Sequence, residues 1–233
     1  MIEIDSLVKK FGRRKVINGL NLKIDKGDFL VIFGANGAGK TTLINLLSTL
    51  LRPSSGTVLI DGVDNQENGS EVRKSIGVLA HKSYLYDELS ASENLKFYAK
   101  MYGVPAVDKR IEELLALVRL SHRMDDLVGT FSRGMRQRLA IARAIIHDPR
   151  VLLLDEPYTG LDLNGGEILS KMLRKFHHEE RTTVMATHDV GRGYEIGERL
   201  AVMSDGGIAA DFRKEETGLD EFKKRYRELL GAA

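Results

Sequence analysis

The sequence of 233 residues has no cysteine, which excludes disulfide bonds and thiolate metal sites and fits a reducing compartment. It has no apolar run close to the roughly 18 residues that a membrane-spanning helix needs. The charged first residues do not form the apolar segment of a secretory signal. We therefore expect any role at a membrane to be peripheral.

The chain also has little net charge, because 35 basic residues are nearly balanced by 33 acidic ones and leave +2. This balance neither favours nor excludes a nucleic-acid partner. Hydrophobic residues make up 42% of the chain, an ordinary share for a globular protein that can bury a sizeable core. No internal repeat, long linker or low-complexity segment divides it.

A glycine-rich loop is the most informative feature that is present. Residues 34–42 read GANGAGKTT and lie between the apolar run 29–33 and the helix-like run 43–51. This is the pattern G-x-x-x-x-G-K-[ST] in its strand, loop and helix setting, where backbone N–H groups and the helix dipole surround one anion. The predicted phosphate-binding residues are Gly34, Asn36, Gly37, Ala38, Gly39, Lys40, Thr41 and Thr42.

Four polar side chains are predicted to act on the bound phosphates. Lys40 would contact the β- and γ-phosphates, and the Thr41 hydroxyl would bind Mg²⁺. Asp155 and Glu156 directly follow the apolar run 151–154, at the carboxyl end of a predicted strand, where open α/β sheets bind ligands. We expect Asp155 to contact Mg²⁺, directly or through water, and Glu156 to be the general base for the attacking water.

Three further residues are predicted to contact phosphate. His188 follows a strand-like run at 183–186, and we predict that it hydrogen-bonds the γ-phosphate and holds the attacking water. Ser132 and Gly134 precede a helix-like run at 136–146, where a serine N-cap and a glycine would form a second anion site. An ordinary capped core helix explains these two residues equally well.

The alternation of strands and helices predicts an α/β fold. Residues 1–30 are β-rich, short apolar runs recur towards the carboxyl end, and residues 82–149 have helical periodicity, including a capping box at Ser90 and Glu93. We predict one domain over 1–233: a P-loop NTPase core with a mostly parallel sheet and an N-terminal antiparallel β subdomain (1–81 and 150–233), with an inserted α-helical subdomain (82–149).

In the order of these motifs, the chain resembles the ATP-binding cassette (ABC) ATPases along nearly all of its length. Phe11 looks like the aromatic residue that stacks on adenine, and residues 131–135, FSRGM, match the family signature, usually LSGGQ. Residues 159–162, TGLD, look like the D-loop that ends at Asp162, and His188 is similar to the switch histidine.

This resemblance implies ATP hydrolysis with Mg²⁺ and a head-to-tail dimer, either a homodimer or a heterodimer. Each ATP would lie between the phosphate loop of one subunit and Ser132 and Gly134 of the other. The resemblance also implies an integral membrane permease as partner, a peripheral position at the cytoplasmic face of the inner membrane, and no nucleic-acid partner.

The sequence departs from the family at two places. The signature carries Phe131, Arg133 and Met135 in place of leucine, glycine and glutamine, and His81 stands where a glutamine usually senses Mg²⁺ and the membrane partner. His81 and the segment 84–95 are similar to the ATPase of the haem exporter of cytochrome c maturation. That narrower resemblance implies haem export, with export of drugs, lipids or polysaccharides as the alternatives.

Two other functions compete with transport. Cassette ATPases that act on nucleic acid or ribosomes usually carry two cassettes or a long coiled coil, whereas this chain has one cassette and no sustained heptads. A nucleotide-binding regulatory module without turnover fits the altered signature, but the intact Lys40, Asp155, Glu156 and His188 oppose it. The apolar stripe at 219–230 predicts a terminal helix that packs on its own domain.

Overall fold

The computed structural model describes residues 2–80, 82–177 and 181–231. Its β-strands are β1 (Ile2–Phe11), β2 (Arg14–Ile24), β3 (Phe29–Phe33), β4 (Ser55–Ile60), β5 (Val63–Asp64), β6 (Ile76–Leu79), β7 (Val151–Asp155), β8 (Thr182–Thr187), β9 (Arg199–Ser204) and β10 (Gly207–Arg213). Its α-helices are α1 (Lys40–Leu47), α2 (Gly69–Ser75), α3 (Ala91–Tyr102), α4 (Val107–Leu117), α5 (Arg133–Ala144), α6 (Leu163–His177), α7 (Val190–Ile196) and α8 (Leu219–Leu229). His81 lies outside the described residues, so its sensing role stays a prediction.

The larger sheet brings three loops together at one edge. Its strand order is β10-β9-β3-β8-β7-β6, and every neighbouring pair except β10 with β9 is parallel. Strands β3 and β7 are buried along their whole length, as central parallel strands are. Phe33 pairs with Thr187, and Asp155 pairs with Ala186. The loops that follow β3, β7 and β8 therefore leave the sheet side by side.

The smaller sheet is antiparallel and has the order β2-β1-β4-β5. At the end of its first hairpin, Phe11 faces Arg14 across β1 and β2. Together the two sheets confirm the predicted α/β fold, with a mostly parallel core sheet and an antiparallel N-terminal sheet.

Helices α3, α4 and α5 occupy the chain between β6 and β7. Helix α3 begins with the predicted capping box, in which Ser90 N–H donates to Glu93 at 2.8 Å and Glu93 N–H donates to Ser90 at 3.2 Å. Helix α5 begins at Arg133 rather than at 136, because the Ser132 hydroxyl accepts the Met135 N–H at 3.2 Å and caps the first turn. It ends at Ala144, before the predicted end at 146.

Alternate residues of β3 pack into two separate hydrophobic cores on the two faces of the larger sheet. Leu30 and Ile32 belong to one core, and Val31 and Phe33 belong to the other. Phe222 of α8 is fully buried, and its ring centroid lies 5.0 Å from that of Phe33. The terminal helix therefore packs on its own domain, as expected. Among the residues that the structure describes, no helix is both long and apolar enough to cross a membrane.

A buried carboxylate connects the start of β3 to the strands at the other end of the chain. Asp28 has only 7% of its side chain exposed and accepts hydrogen bonds from Arg199 and Arg213, each at 2.9 Å. Burial alone would raise the pKa of Asp28. The hydrogen bonds from Arg199, from the Asp25 N–H and from Arg213 instead hold the pKa of Asp28 below its ordinary value.

Candidate active site

The phosphate loop connects β3 to α1, and two of its glycines are required by its conformation. Gly39 has a φ of 109°, and a Cβ atom there would lie 2.9 Å from the carbonyl oxygen of Val16. A Cβ atom at Gly34 would lie 2.6 Å from the carbonyl oxygen of Met203. The loop therefore follows the neighbouring backbone too closely for a side chain at either position.

Lys40 is buried inside this loop, with 7% of its surface exposed. Its ammonium group donates to the carbonyl oxygens of Gly34 at 2.6 Å and Ala35 at 3.2 Å. Burial lowers the pKa of Lys40, and the charges of Glu156 and Asp155 oppose that shift. The ammonium group therefore lies beside both acidic residues and is positioned to neutralise phosphate charge.

Thr41 and Asp155 meet at the edge of the sheet. The Thr41 hydroxyl donates to Oδ1 of Asp155 at 3.1 Å, and Asp155 is 5% exposed. Hydroxyl and carboxylate oxygens are the donors that Mg²⁺ prefers when phosphate oxygens and water supply the remaining ligands. The pair therefore fits the predicted magnesium site.

Glu156 is held by the carboxyl end of β8. Its N–H donates to the Ala186 carbonyl at 2.8 Å, and its Oε2 accepts the Thr187 hydroxyl at 3.1 Å. Its Oε1 lies 2.8 Å from Nδ1 of His188, which is the donor because an ionised carboxylate only accepts. The φ of Glu156 is 49°, a conformation that L-residues rarely adopt and that is often found at functional sites. Glu156 and His188 therefore form one hydrogen-bonded pair.

The hairpin of β1 and β2 lies against the phosphate loop. The Phe11 ring is 51% exposed, and the Lys9 ammonium lies 5.1 Å from its centroid. A Cβ atom at Gly37 would lie 4.0 Å from a guanidinium nitrogen of Arg14, the residue that faces Phe11. An exposed ring next to the phosphate loop is suited to stacking on a base, as predicted for Phe11.

The signature turn stands apart from the phosphate loop. Ser132 is exposed and caps α5, while Asp162 accepts the Gly165 N–H at 2.7 Å near the start of α6. A Cβ atom at Gly134 would have only an ordinary contact, 3.6 Å from Leu161. Among the described residues, no hydrogen bond joins residues 131–135 to residues 34–42 or to Glu156. A single chain thus presents two separate halves of a nucleotide site.

Two residues of the site were not predicted from the sequence. Thr187 binds Glu156, and the signal available was its position directly before His188. Arg14 lies near Gly37, but an arginine in a β-hairpin has no distinguishing pattern in the sequence.

Comparisons with known proteins agree with this geometry. Residues 17–159 match the family described as ABC transporter. The chain is 40% identical over 177 residues to the ABC transporter ATP-binding protein NatA of Bacillus subtilis (strain 168), covering 75% of this chain and 72% of that protein. It is 35% identical over 231 residues to the bacitracin transport ATP-binding protein BcrA of Bacillus licheniformis, covering 99% of this chain and 74% of that protein. A dimeric structure of an ATP-binding cassette in a post-hydrolysis state, bound to ADP and Pi, matches with a TM-score of 0.85 and 29% identity over 92% of this chain and 99% of that one.

Proposed function

The chain belongs to the ABC transporter family, and we propose that this ATPase subunit powers export by a separate membrane protein. The observation that carries the proposal is the group of side chains at one edge of the larger sheet. There Lys40 lies beside the acidic pair, Thr41 contacts Asp155, and Glu156 contacts His188. The Glu156–His188 pair opposes a regulatory module without turnover, because these two side chains are assigned to the hydrolysis step itself.

The arrangement assigns a task to each residue. Lys40 neutralises charge on the phosphates, and Glu156 accepts a proton from the water that attacks the γ-phosphorus as ADP leaves. The Nδ1 contact holds His188 in place, so that its other ring nitrogen can hydrogen-bond the γ-phosphate. Thr41 and Asp155 would hold Mg²⁺, which neutralises the charge of the phosphates when it is bound.

The separation of the signature turn from the phosphate loop supports a head-to-tail dimer. Ser132 is exposed, and Gly134 has space around it, so this turn is free to meet a nucleotide held by a second ATPase subunit. The structure that matches over 92% of this chain is itself a dimer. A homodimer needs no further chain, and a heterodimer would use the same surfaces.

Three exposed aromatic rings and one methionine, here called the aromatic surface, are the proposed docking site for the membrane protein: Tyr84, Tyr86, Phe97 and Met101. These side chains are 42%, 45%, 45% and 59% exposed. Tyr84 also lines a cavity of about 200 Å³ beside them, together with the Arg143 guanidinium. Large exposed apolar side chains that cluster in this way mark interaction sites. The chain would thus be a peripheral subunit at the cytoplasmic face of the membrane.

The cargo is proposed from the relatives. The relative BcrA, whose alignment covers 99% of this chain, is named for bacitracin transport. Our first proposal for the cargo is therefore a peptide-like or amphiphilic compound. Haem export remains the finer hypothesis from His81 and the segment 84–95, and neither relative named above supports it.

The test is purification of the tagged chain from detergent-solubilised membranes, with identification of any integral membrane protein that co-purifies. We expect one such protein, and we expect it to stimulate ATP hydrolysis by the chain but not by the Glu156→Gln variant. Cells that express the pair should tolerate more bacitracin than cells that express the variant. Unchanged bacitracin tolerance with altered haem delivery to cytochrome c would favour the haem hypothesis. Purification without any membrane protein would contradict the transport role.

A further inference from the structure

The cavity of about 200 Å³ that Tyr84 lines is large enough for a single aromatic ring. Residues of β6, α3 and α5 form its walls. Tyr98 and Tyr102 add two further tyrosine rings, and the ring of His147 stacks on Tyr102 with centroids 3.9 Å apart. An engineered cavity of about 150 Å³ in another protein holds benzene. This cavity therefore has room for one ring that carries a small substituent.

One wall of the cavity carries the guanidinium group of Arg143. This group donates to the Val78 carbonyl at 2.5 Å, whereas its Nε is buried without a hydrogen-bond partner among the described residues. The rings of Tyr84 and Tyr98 lie 5.6 and 5.3 Å from the guanidinium carbon. Burial lowers the pKa of Arg143, but a guanidinium group keeps its proton in proteins. A positive charge is therefore fixed at the cavity wall.

This charge has no counter-ion within the ranges that the structure describes. The cavity-lining residues in those ranges include no aspartate or glutamate, and they include a second guanidinium group, that of Arg73. Arg73 donates to the Thr49 hydroxyl at 3.1 Å, which is a neutral partner. Buried charges in proteins usually have a partner of opposite charge, because removal of an isolated ion from water is costly. The cavity is therefore suited to an anion.

We propose that this cavity binds a small aromatic carboxylate of about the size of benzoate. A carboxylate matches the planar donors of a guanidinium group, and the ring of the ligand would pack among the tyrosine rings. An inorganic anion would leave those aromatic walls without contact. None of residues 34–42 lines the cavity, so this anion site is separate from the phosphate loop. It is a second ligand site, beyond the ATPase and transport functions proposed above.

The first test is benzoate binding to the whole chain, measured by ligand-observed NMR. We expect a dissociation constant of about 1 mM or below. Benzamide has nearly the same shape but no charge, and it should bind at least about tenfold more weakly. Saturating ATP with Mg²⁺ should leave benzoate binding unchanged. Equal binding of benzamide, displacement of benzoate by ATP, or no binding at about 10 mM benzoate would each overturn the proposal.

The second test places the ligand in the cavity with variants of Leu50, which lines the cavity and is 50% exposed. Leu50→Glu adds a negative charge beside the ligand and should weaken benzoate binding about tenfold. Leu50→Gln is the matched control, because it has the same shape without the charge, and it should bind benzoate within about twofold of the wild type. ATP binding should be the same in both variants. Equal benzoate affinity of the two variants would place the ligand elsewhere and overturn the assignment.

The third test removes the cavity charge itself. Arg143→Gln should abolish the preference for benzoate over benzamide, and Arg143→Lys should keep part of it, because lysine retains the charge but loses the planar donors. ATP binding by each variant shows whether it is folded. A folded Arg143→Gln protein that still prefers benzoate over benzamide would contradict the role of Arg143.

Discussion

Nδ1 of His188 lies 2.8 Å from Oε1 of Glu156, and the two residues come from loops that follow different strands of one parallel sheet. The contact aligns the histidine ring relative to the carboxylate. His188 is 61% exposed on its side chain, whereas Glu156 is 26% exposed. The histidine is therefore the more solvent-exposed member of the pair, and the carboxylate is the more buried one.

Removing the charge of Glu156 should separate binding from hydrolysis. In Glu156→Gln, the amide keeps the shape and can still contact His188, but it cannot accept the proton of the attacking water. We expect ATP binding to stay within about twofold and hydrolysis to fall by at least about a hundredfold. Isothermal titration and phosphate release measure the two quantities. Hydrolysis at the wild-type rate would remove Glu156 from the mechanism.

Thr187→Val tests whether the second hydrogen bond to Glu156 positions the carboxylate. Thr187 is 1% exposed, so valine fits the space, but the variant loses the hydroxyl that donates to Oε2 of Glu156 and accepts the Asp189 N–H. A hydrogen bond to a charged group contributes about 1.5 to 3 kcal/mol, and we expect kcat to fall about tenfold with little change in KM. Thr183→Val is the matched control, since Thr183 lies in the same strand, is fully buried, and its hydroxyl has no hydrogen-bond partner among the described residues. Equal kcat values for both variants would contradict the positioning role.

Lys40→Ala should weaken ATP binding and abolish measurable turnover. The variant loses the ammonium group that lies beside the phosphate loop carbonyls and the acidic pair, and the phosphates are then under-neutralised. We expect the ATP dissociation constant to rise by about tenfold or more. Lys171→Ala, which removes an exposed lysine of α6, should bind and hydrolyse ATP as the wild type does. Normal turnover in Lys40→Ala would exclude the loop from the mechanism.

Local sequence patterns predicted several of the elements that build the fold, although α2 and α7 were not among them. The capping box at Ser90, the apolar strands β3 and β7 and the glycine pattern before Lys40 each lie within a few neighbouring residues, so their physical causes can be read from the sequence. The parallel sheet then places the predicted Thr41, Asp155, Glu156 and His188 at one edge.

Contacts between distant residues could not be predicted in this way. Arg133 lies on Gly160, and Thr187 binds Glu156, because tertiary packing brings together residues that are 27 and 31 positions apart in sequence. Nor does a lone aspartate before β3 reveal that two arginines from β9 and β10 will bind it. Roles that need a second subunit, such as those of Ser132 and Gly134, stay predictions because a single chain does not contain the complete site.

Asp28 should make the protein sensitive to acid. Its folded-state pKa is below the ordinary value of 3.8, so its charged form stabilises the fold above about pH 4, and that contribution is lost as the pH falls through the folded-state pKa. Asp28→Asn leaves Arg199 and Arg213 without this charge and should lower the free energy of unfolding at pH 7 by about 3 kcal/mol. Urea unfolding at pH 7 and at about pH 3.5 measures the effect, and the difference between variant and wild type should shrink at the lower pH.

The control is Asp108→Asn, at an exposed ion pair with Lys96, which should change stability by less than about 0.5 kcal/mol. A constant difference at both pH values would contradict the assignment.

The aromatic surface on α3 and the loop before it should decide whether the chain binds its membrane protein. Met101 is 59% exposed and Phe97 is 45% exposed, so replacing them with Glu and Ser, respectively, changes the surface and leaves the buried core of α3 in place. Exposed apolar side chains at the centre of an interface often contribute 2 kcal/mol or more to binding, and we expect the double variant to bind the membrane protein at least about tenfold more weakly. ATP hydrolysis by the isolated chain should stay the same, because both residues lie on α3 and belong neither to the phosphate loop nor to the Glu156–His188 pair. Leu229→Ser, at an apolar side chain of α8 that is 37% exposed, is the matched control and should keep full binding.

Co-purification of the membrane protein and its stimulation of the ATPase are the two measurements. Undiminished stimulation in the double variant would place the docking site elsewhere on the chain, whereas loss of basal hydrolysis would show that the substitutions had damaged the fold.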